Sequence, residues 1–223
     1  MAQVSQLKRP DSLSKVAEDT IREGIVRGTF RLGESLQEAK LSTELGISKT
    51  PIREALAALK LQGLVDIFPQ RGAFVFTLSQ ARIVQLCRYR VVLETAALDL
   101  SLASDPKGFL ASLNANVENM TIAREQSDFE RYLDLDSEFH EAFFRHCSNE
   151  YLADGYKTVA DVVRTMRTYL SQRPHRTDKS FEEHVGILKL LGSGKVDAAK
   201  AVLETQIRRG EHAYQDLTDP GSV

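Results

Sequence analysis

Between Leu36 and Val75 the chain reads L-Q-E-A-K-L-S-T-E-L-G-I-S-K-T-P-I-R-E-A-L-A-A-L-K-L-Q-G-L-V-D-I-F-P-Q-R-G-A-F-V, and few folds accommodate that order of signals. Leu36, Ala39 and Leu45 suit the buried face of a short helix. Gly46 can take the left-handed conformation that a sharp helix–helix turn requires. Ser48 or Thr50 caps a second helix, with Pro51 in its first turn, where a missing N–H is tolerated. Ile52, Leu56 and Leu59 face inward at helical spacing and leave Lys49, Thr50 and Arg53 outside. That is the side a recognition helix offers to the major groove. Gln62-Gly63 ends the helix. Residues 65–68 and 73–76 alternate around Pro69-Gln70-Arg71-Gly72, which predicts a two-stranded wing with a cation at its tip. The expectation is a winged helix-turn-helix that binds DNA. A winged helix used only for protein contacts is the plainer alternative, but Lys49, Arg53 and Arg71 gather where DNA needs positive charge.

The chain has 223 residues, enough for one large domain or two modest ones. Its 29 Lys+Arg face 31 Asp+Glu, with 11 basic and 9 acidic residues up to Phe76 and 18 and 22 after it. That bias is too small to argue nucleic-acid binding; the placement of the cations makes the case. No apolar run approaches the length of a membrane span, and M-A-Q-V-S-Q-L-K-R-P lacks a signal-peptide core, so a cytoplasmic protein with no membrane partner is expected. Cys87 and Cys147 lie in helical patterns without metal-pair spacing and read as reduced thiols. The expected division is an arm over 1–11, a winged helix over 12–77, a helical domain over 78–218 and a frayed tail over 219–223.

The strings S-K-T-P-I-R-E-A-L and L-V-x(5)-R-G-x-F-V, with the preceding I-R-E-G-I-V-R-G-T-F-R-L-G-E-S-L, resemble the signature of the GntR family of bacterial regulators. The resemblance implies operator contacts from Lys40, Ser48, Lys49, Thr50 and Arg53, and from Arg71 with Gly72 on the wing. Ala39 departs from the arginine of fatty-acid-type relatives, which leaves Lys40 a phosphate contact at most.

After Ser79 strand signals vanish and six helical patterns follow, over about 79–103, up to 126, 128–147, up to 172, 180–191 and 196–217. Short connections imply antiparallel neighbours and an all-α bundle. One wheel is anomalous. The third of these helices carries Phe129, Leu133, Asp136, His140, Phe143 and Cys147 on its stripe, placing a carboxylate and an imidazole one turn apart in apolar positions. The fifth carries Phe181, Val185, Leu188 and Leu191, with His184 at the edge. The sixth carries Ala199, Val202, Leu203 and Gln206. A buried carboxylate needs a cation or strong donors. Asp136 and His140 at i, i+4 can share a metal, or can form a hydrogen-bonded pair with His184 a separate core histidine. Arg90 also interrupts an apolar stripe, and Arg164 and Arg167 lie near another. A guanidinium there can take the carboxylate of a small acid bidentately. Alternatively, Arg90 pairs with Glu94 on the helix surface or with Asp136 inside, and Arg164 and Arg167 lie on a solvated face. Asn149 is placed to cap the next helix.

Asp136-x-x-x-His140, then His184, then a polar residue at 206, resembles the FCD effector domain of the FadR-type GntR branch, as does the segment opening R-x-x-L-E at 90. Many such domains hold a divalent metal with one Asp and three His. The resemblance implies Asp136, His140 and His184 as ligands, with Gln206 where the last His stands, and zinc first, then nickel or manganese, as the ion. Amide oxygen is a poor partner for zinc beside imidazole. It also implies effector contacts from Arg90, Arg164 and Asn149. The whole then reads as a homodimeric repressor on a palindromic operator, switched by a small organic acid. A metal-dependent hydrolase with an accessory winged helix, or an architectural DNA-binding protein, are the alternatives.

Overall fold

A computed structural model describes residues 12–171 and 176–213. The expected N-terminal arm, the tail, and the last residues assigned to the sixth bundle helix lie outside them. The chain divides into two compact units, Met1–Thr77 and Leu78–Val223.

The first unit begins with α1 (Leu13–Val26), where the Ser12 side chain accepts from the Lys15 N–H at 3.2 Å. Ala17, Ile21 and Ile25 recur every four residues and are buried against α3 (Lys49–Leu61), which offers Ile52, Ala55, Leu56 and Leu59. Between them lie β1 (Ser35–Leu36) and α2 (Glu38–Leu45). β2 (Val65–Phe68) and β3 (Gly72–Val75) form the wing, and β1 adds to β3, giving an antiparallel sheet in the order β1-β3-β2. The two-residue strand corrects the sequence reading. Leu36 pairs with Ala73 in the sheet, Ala39 is exposed, and Leu41 is the buried residue of α2. Gly46 takes φ 66° and ψ 26°, the left-handed turn expected of it.

The second unit holds six helices among the described residues: α4 (Gln80–Ser104), α5 (Pro106–Glu125), α6 (Phe129–His146), α7 (Glu150–Leu170), α8 (Arg176–Gly192) and α9 (Val196–Ala213). Each of the α4–α7 starts carries an acceptor cap, on Ser79, Asp105, Asp128 and Asn149. α4 packs against α5, α6, α7 and α9, and α8 closes on α5 and α9. Ser112, His146 and Asp105 form a hydrogen-bonded chain, Oγ to Nε2 at 2.9 Å and Nδ1 to Oδ2 at 2.8 Å. Its order is that of a catalytic triad, but Asp105 is half exposed and also caps α5 through the Gly108 N–H, so the chain acts as a clasp between α5 and the end of α6.

Two helical faces are rotated from the sequence reading. On α8 the buried residues are His184, Ile187 and Leu191, so His184 is the centre of the stripe and not its edge. On α6, Asp136, His140, Phe143 and Cys147 are buried as expected, whereas Phe129 is 44% exposed and Leu133 is half-buried.

Candidate functional sites

The first site is the N-terminal end of α3. Ser48 occupies the N-cap position, yet its side chain makes no capping bond, so its hydroxyl remains available. Ser48, Lys49, Thr50 and Arg53 are all exposed around a helix start whose free N–H groups attract phosphate. Arg53 is not wholly free: its Nε donates to Glu38 Oε2 at 2.7 Å and ties α3 to α2. Lys40 lies 3.9 Å from Glu44 and is well exposed. At the wing tip Arg71 stands over the rings of Phe68 and Phe74, 5.4 and 5.7 Å from their centroids, which holds its guanidinium outward. Gly72 has φ 92°, a conformation that side chains avoid, though nothing within 4 Å would obstruct a Cβ.

The second site is a cavity of ≈ 90 Å³ in the helical unit, about the volume of three waters, lined among others by Arg90, Asp136, His140, Arg167, Ser180 and Gln206. The heptad neighbours of α4 bring Arg90 and Glu94 inside together, 4% and 0% exposed. Arg90 Nε donates to Glu94 Oε1 at 2.7 Å, and His140 Nδ1 lies 2.6 Å from Glu94 Oε2. Burial opposes the Glu94 charge, but Arg90 and His140 outweigh it and draw the carboxyl down to about 2. A carboxylate on Nδ1 makes that nitrogen the donor and turns the Nε2 lone pair of His140 toward the cavity. Burial pushes His140 down from its usual range and takes His184 to about 3, which favours the neutral form of both imidazoles.

Asp136 finds its cation on α7. Arg167 Nε lies 3.0 Å from Oδ2, and Ser180 Oγ donates to Oδ1 at 2.8 Å. Burial alone would raise the Asp136 carboxyl; Arg167, with the two histidines, holds it well below the carboxylate range. The two terminal nitrogens of Arg167 are buried without a hydrogen-bond partner. His184 Nε2 is 3.3 Å from His140 Nε2 and 3.0 Å from the Gln206 amide nitrogen, while His184 Nδ1 and Gln206 Oε1 have no partner.

Each of the three expected effector contacts has a partner within the protein. Arg90 lines the cavity, but its Nε belongs to Glu94, inside the protein and not on its surface. Arg164 pairs with Asp134 and Asp161 at 3.4 and 3.5 Å, both interactions partly exposed. Asn149 accepts from the Leu152 N–H at 3.1 Å and is spent as a cap. Arg167, Glu94 and Ser180 are the residues the sequence reading passed over or placed outside. The available signal was the position of Arg167 between Met166 and Leu170, four residues after Val163.

The metal expected at Asp136, His140 and His184 meets a poor fit. These three groups and Gln206 do converge. Yet among the described residues no three His, Cys, Asp or Glu side chains are disposed to hold an ion. Both Asp136 oxygens are already engaged, Oδ2 ion-paired with Arg167 and Oδ1 accepting from Ser180. His184 lacks the outer acceptor that a ligating histidine normally has on its second nitrogen.

Residues 13–75 match the model for bacterial regulatory proteins of the gntR family, and residues 85–209 match that for the FCD domain. The chain belongs to the GntR family, in the branch that carries an FCD domain. A helix-turn-helix transcriptional regulator from an unstable DNA locus of Streptomyces ambofaciens is 33% identical over 84% of this chain and 79% of its own length. The helix-turn-helix transcriptional repressor RspR of Escherichia coli is 21% identical over 98% of this chain and 96% of its own. A GntR regulator from Rhodococcus sp. RHA1 shares the fold, with a TM-score of 0.81 at 22% identity over 94% of this chain and 100% of that one. E. coli McbR/YncC does so at 0.77 and 21%, over 94% and 100%. As a GntR/FCD protein the chain is a DNA-binding transcriptional regulator whose FCD unit contains the cavity. No helix among the described residues is long and apolar enough to cross a membrane.

Proposed function

We propose that this GntR protein is a homodimeric repressor, not an enzyme, which binds a palindromic operator and responds to a small organic acid held by Arg167. The observation that carries the reading is the pair of buried, unpartnered nitrogens on Arg167 at the cavity wall. A buried guanidinium edge lacking an acceptor is costly, and a carboxylate satisfies it bidentately. Operator contacts fall to Ser48, Lys49, Thr50 and Arg53, with Lys40 on phosphate and Arg71 with Gly72 at the wing. Dimerisation is supported by exposed apolar residues on adjoining helices. Tyr89 and Val92 lie on one face of α4, Tyr151 lies on α7, and the Tyr89 hydroxyl donates to Gly155 O of α7 at 3.2 Å. Two copies would place two recognition helices on successive half-sites. Cytoplasmic location accords with such a role. The hydrolase alternative needs an open metal site, and Asp136 and His184 are already engaged.

The test is a calorimetric and thermal-shift screen of small mono- and dicarboxylates, followed by operator binding with and without the hits. At least one acid should bind wild type, weaken operator binding, and bind Arg167→Met at least 10-fold less. A hit unaffected by Arg167→Met would remove Arg167 from the site. Operator affinity should fall by about 1–3 kcal/mol for Lys49→Ala and for Arg53→Ala, and unchanged affinity in the double variant would contradict the DNA face.

A further inference from the structure

The four side chains that stand at the metal positions of the FCD signature carry an unexpected set of partners. We propose that in this protein the Arg167 guanidinium has replaced the divalent ion, and that Arg167 and Gln206 together close the cavity to metals.

Two of the three would-be donors, Asp136 and His184, have a specific competitor. Asp136 offers Oδ2 to Arg167 Nε at 3.0 Å and Oδ1 to Ser180 Oγ at 2.8 Å. A dication on the same carboxylate would sit against a fixed positive charge that cannot be neutralised near pH 7, because arginine does not deprotonate in proteins. His184 is blocked by Gln206, whose amide lies 3.0 Å from Nε2. The amide nitrogen also donates to Ser180 O at 3.4 Å and to Ser180 Oγ at 3.3 Å, which favours the nitrogen toward the ring; the opposite orientation gives up those two bonds. With its nitrogen facing the ring it donates into the Nε2 lone pair. With its oxygen facing the ring it requires a proton on that same nitrogen. Neither arrangement leaves the lone pair a metal needs. A histidine at 206 would supply an acceptor-type nitrogen in place of the amide, so this one substitution both removes a ligand and disables its neighbour. His140 Nε2, oriented by Glu94 and 3.3 Å from His184 Nε2, is the one donor that neither Arg167 nor Gln206 engages, and one imidazole does not retain a divalent ion.

The arrangement also explains why a buried guanidinium is tolerated. Asp136 neutralises it through Nε, and its two terminal nitrogens stay buried without a partner in a residue that lines the cavity. In a metal-bearing cavity the ion supplies the charge that meets an anion. Here the same charge arrives on a side chain, planar and with two donors side by side. This inference rests on the organic-acid reading for its purpose, but its test does not depend on any acid.

Metal-stripped, untagged protein is titrated calorimetrically with Zn²⁺, Ni²⁺ and Mn²⁺ alone. Wild type should show no one-per-chain binding at micromolar concentrations, and its melting temperature should not respond to chelator. Arg167→Met/Gln206→His, with its helical content checked by circular dichroism, should take up one ion per chain at least 100-fold more tightly than wild type. Arg167→Lys/Gln206→His, which keeps a cation, should remain at least 10-fold weaker than the methionine variant. Should the methionine variant not fold, Gln206→His alone should bind zinc at least 10-fold more tightly than wild type, since His184 regains its lone pair. Stoichiometric zinc on wild type would overturn the proposal, and so would folded variants that stay as inert as wild type. An acid screen without hits, alongside the expected metal results, would defeat the organic-acid reading and leave this one standing.

Discussion

Glu94 is the residue on which the cavity's polar order turns. It is fully buried and satisfies Arg90 and His140 at once. Removing one member of a buried charge network leaves the others uncompensated, so Glu94→Ala should lower stability by about 3–5 kcal/mol in chemical denaturation, with Glu94→Gln milder because it keeps the shape. His184 gives the same unit a pH dependence. Its folded value, depressed chiefly by burial, lies at about 3 against an ordinary 6.5. The unfolded chain therefore binds a proton below 6.5 that the folded chain refuses until about 3. This contribution is fully present above 6.5 and is lost progressively as pH falls through that window. Denaturation midpoints between pH 7 and 4 should decline, and less steeply in His184→Leu; equal slopes would contradict the assignment.

Among the elements, the turn between α2 and α3 depends on one backbone conformation. Gly46 sits at φ +66° with open space where a Cβ would go, so the penalty for a side chain there is conformational and not steric. Gly46→Ala should cost about 1–2 kcal/mol. Gly186 is the converse case, a glycine inside α8 with equally open surroundings, and Gly186→Ala should stabilise by about 0.5–1 kcal/mol. Thermal melts of the two variants should move in opposite directions. The helices themselves were readable from local signals: Asp105 before Pro106, Asp128 and Asn149 stand at starts where their side chains accept the backbone N–H three residues on. β1 was not readable. Two residues carry no periodicity, and Leu36 served a helical pattern as well as a strand.

For the whole molecule, the proposed dimer concentrates its apolar contacts on α4 and α7. Val92 is 66% exposed and Tyr151 93%, and with Tyr89 they are the large apolar side chains that these two helices leave uncovered among the described residues. Val92→Asp/Tyr151→Asp should sediment as a monomer at micromolar concentration, retain its helical content, and bind a palindromic operator at least 10-fold more weakly through loss of the bivalent advantage. A dimer of unchanged stability would place the interface elsewhere.

What the sequence determined by itself was everything governed by neighbours a few residues away. Caps, turns and the 3.6-residue period delimited the winged helix and the six helices of the FCD unit, and placed Asp136 and His140 on a buried stripe. What only the tertiary structure decided was which charge meets which. Arg90, Arg164 and Arg167 all lie near apolar stripes, and no local rule separates them. The fold gives Arg90 to Glu94, leaves Arg164 partly exposed with Asp134 and Asp161, and sets Arg167 on Asp136, 31 positions along the chain and 3.0 Å away. The phase of α8, which carries His184 from the edge of its stripe to the centre, was settled the same way. A helical period fixes the spacing of a face, but the helices packed against it decide which face is inside.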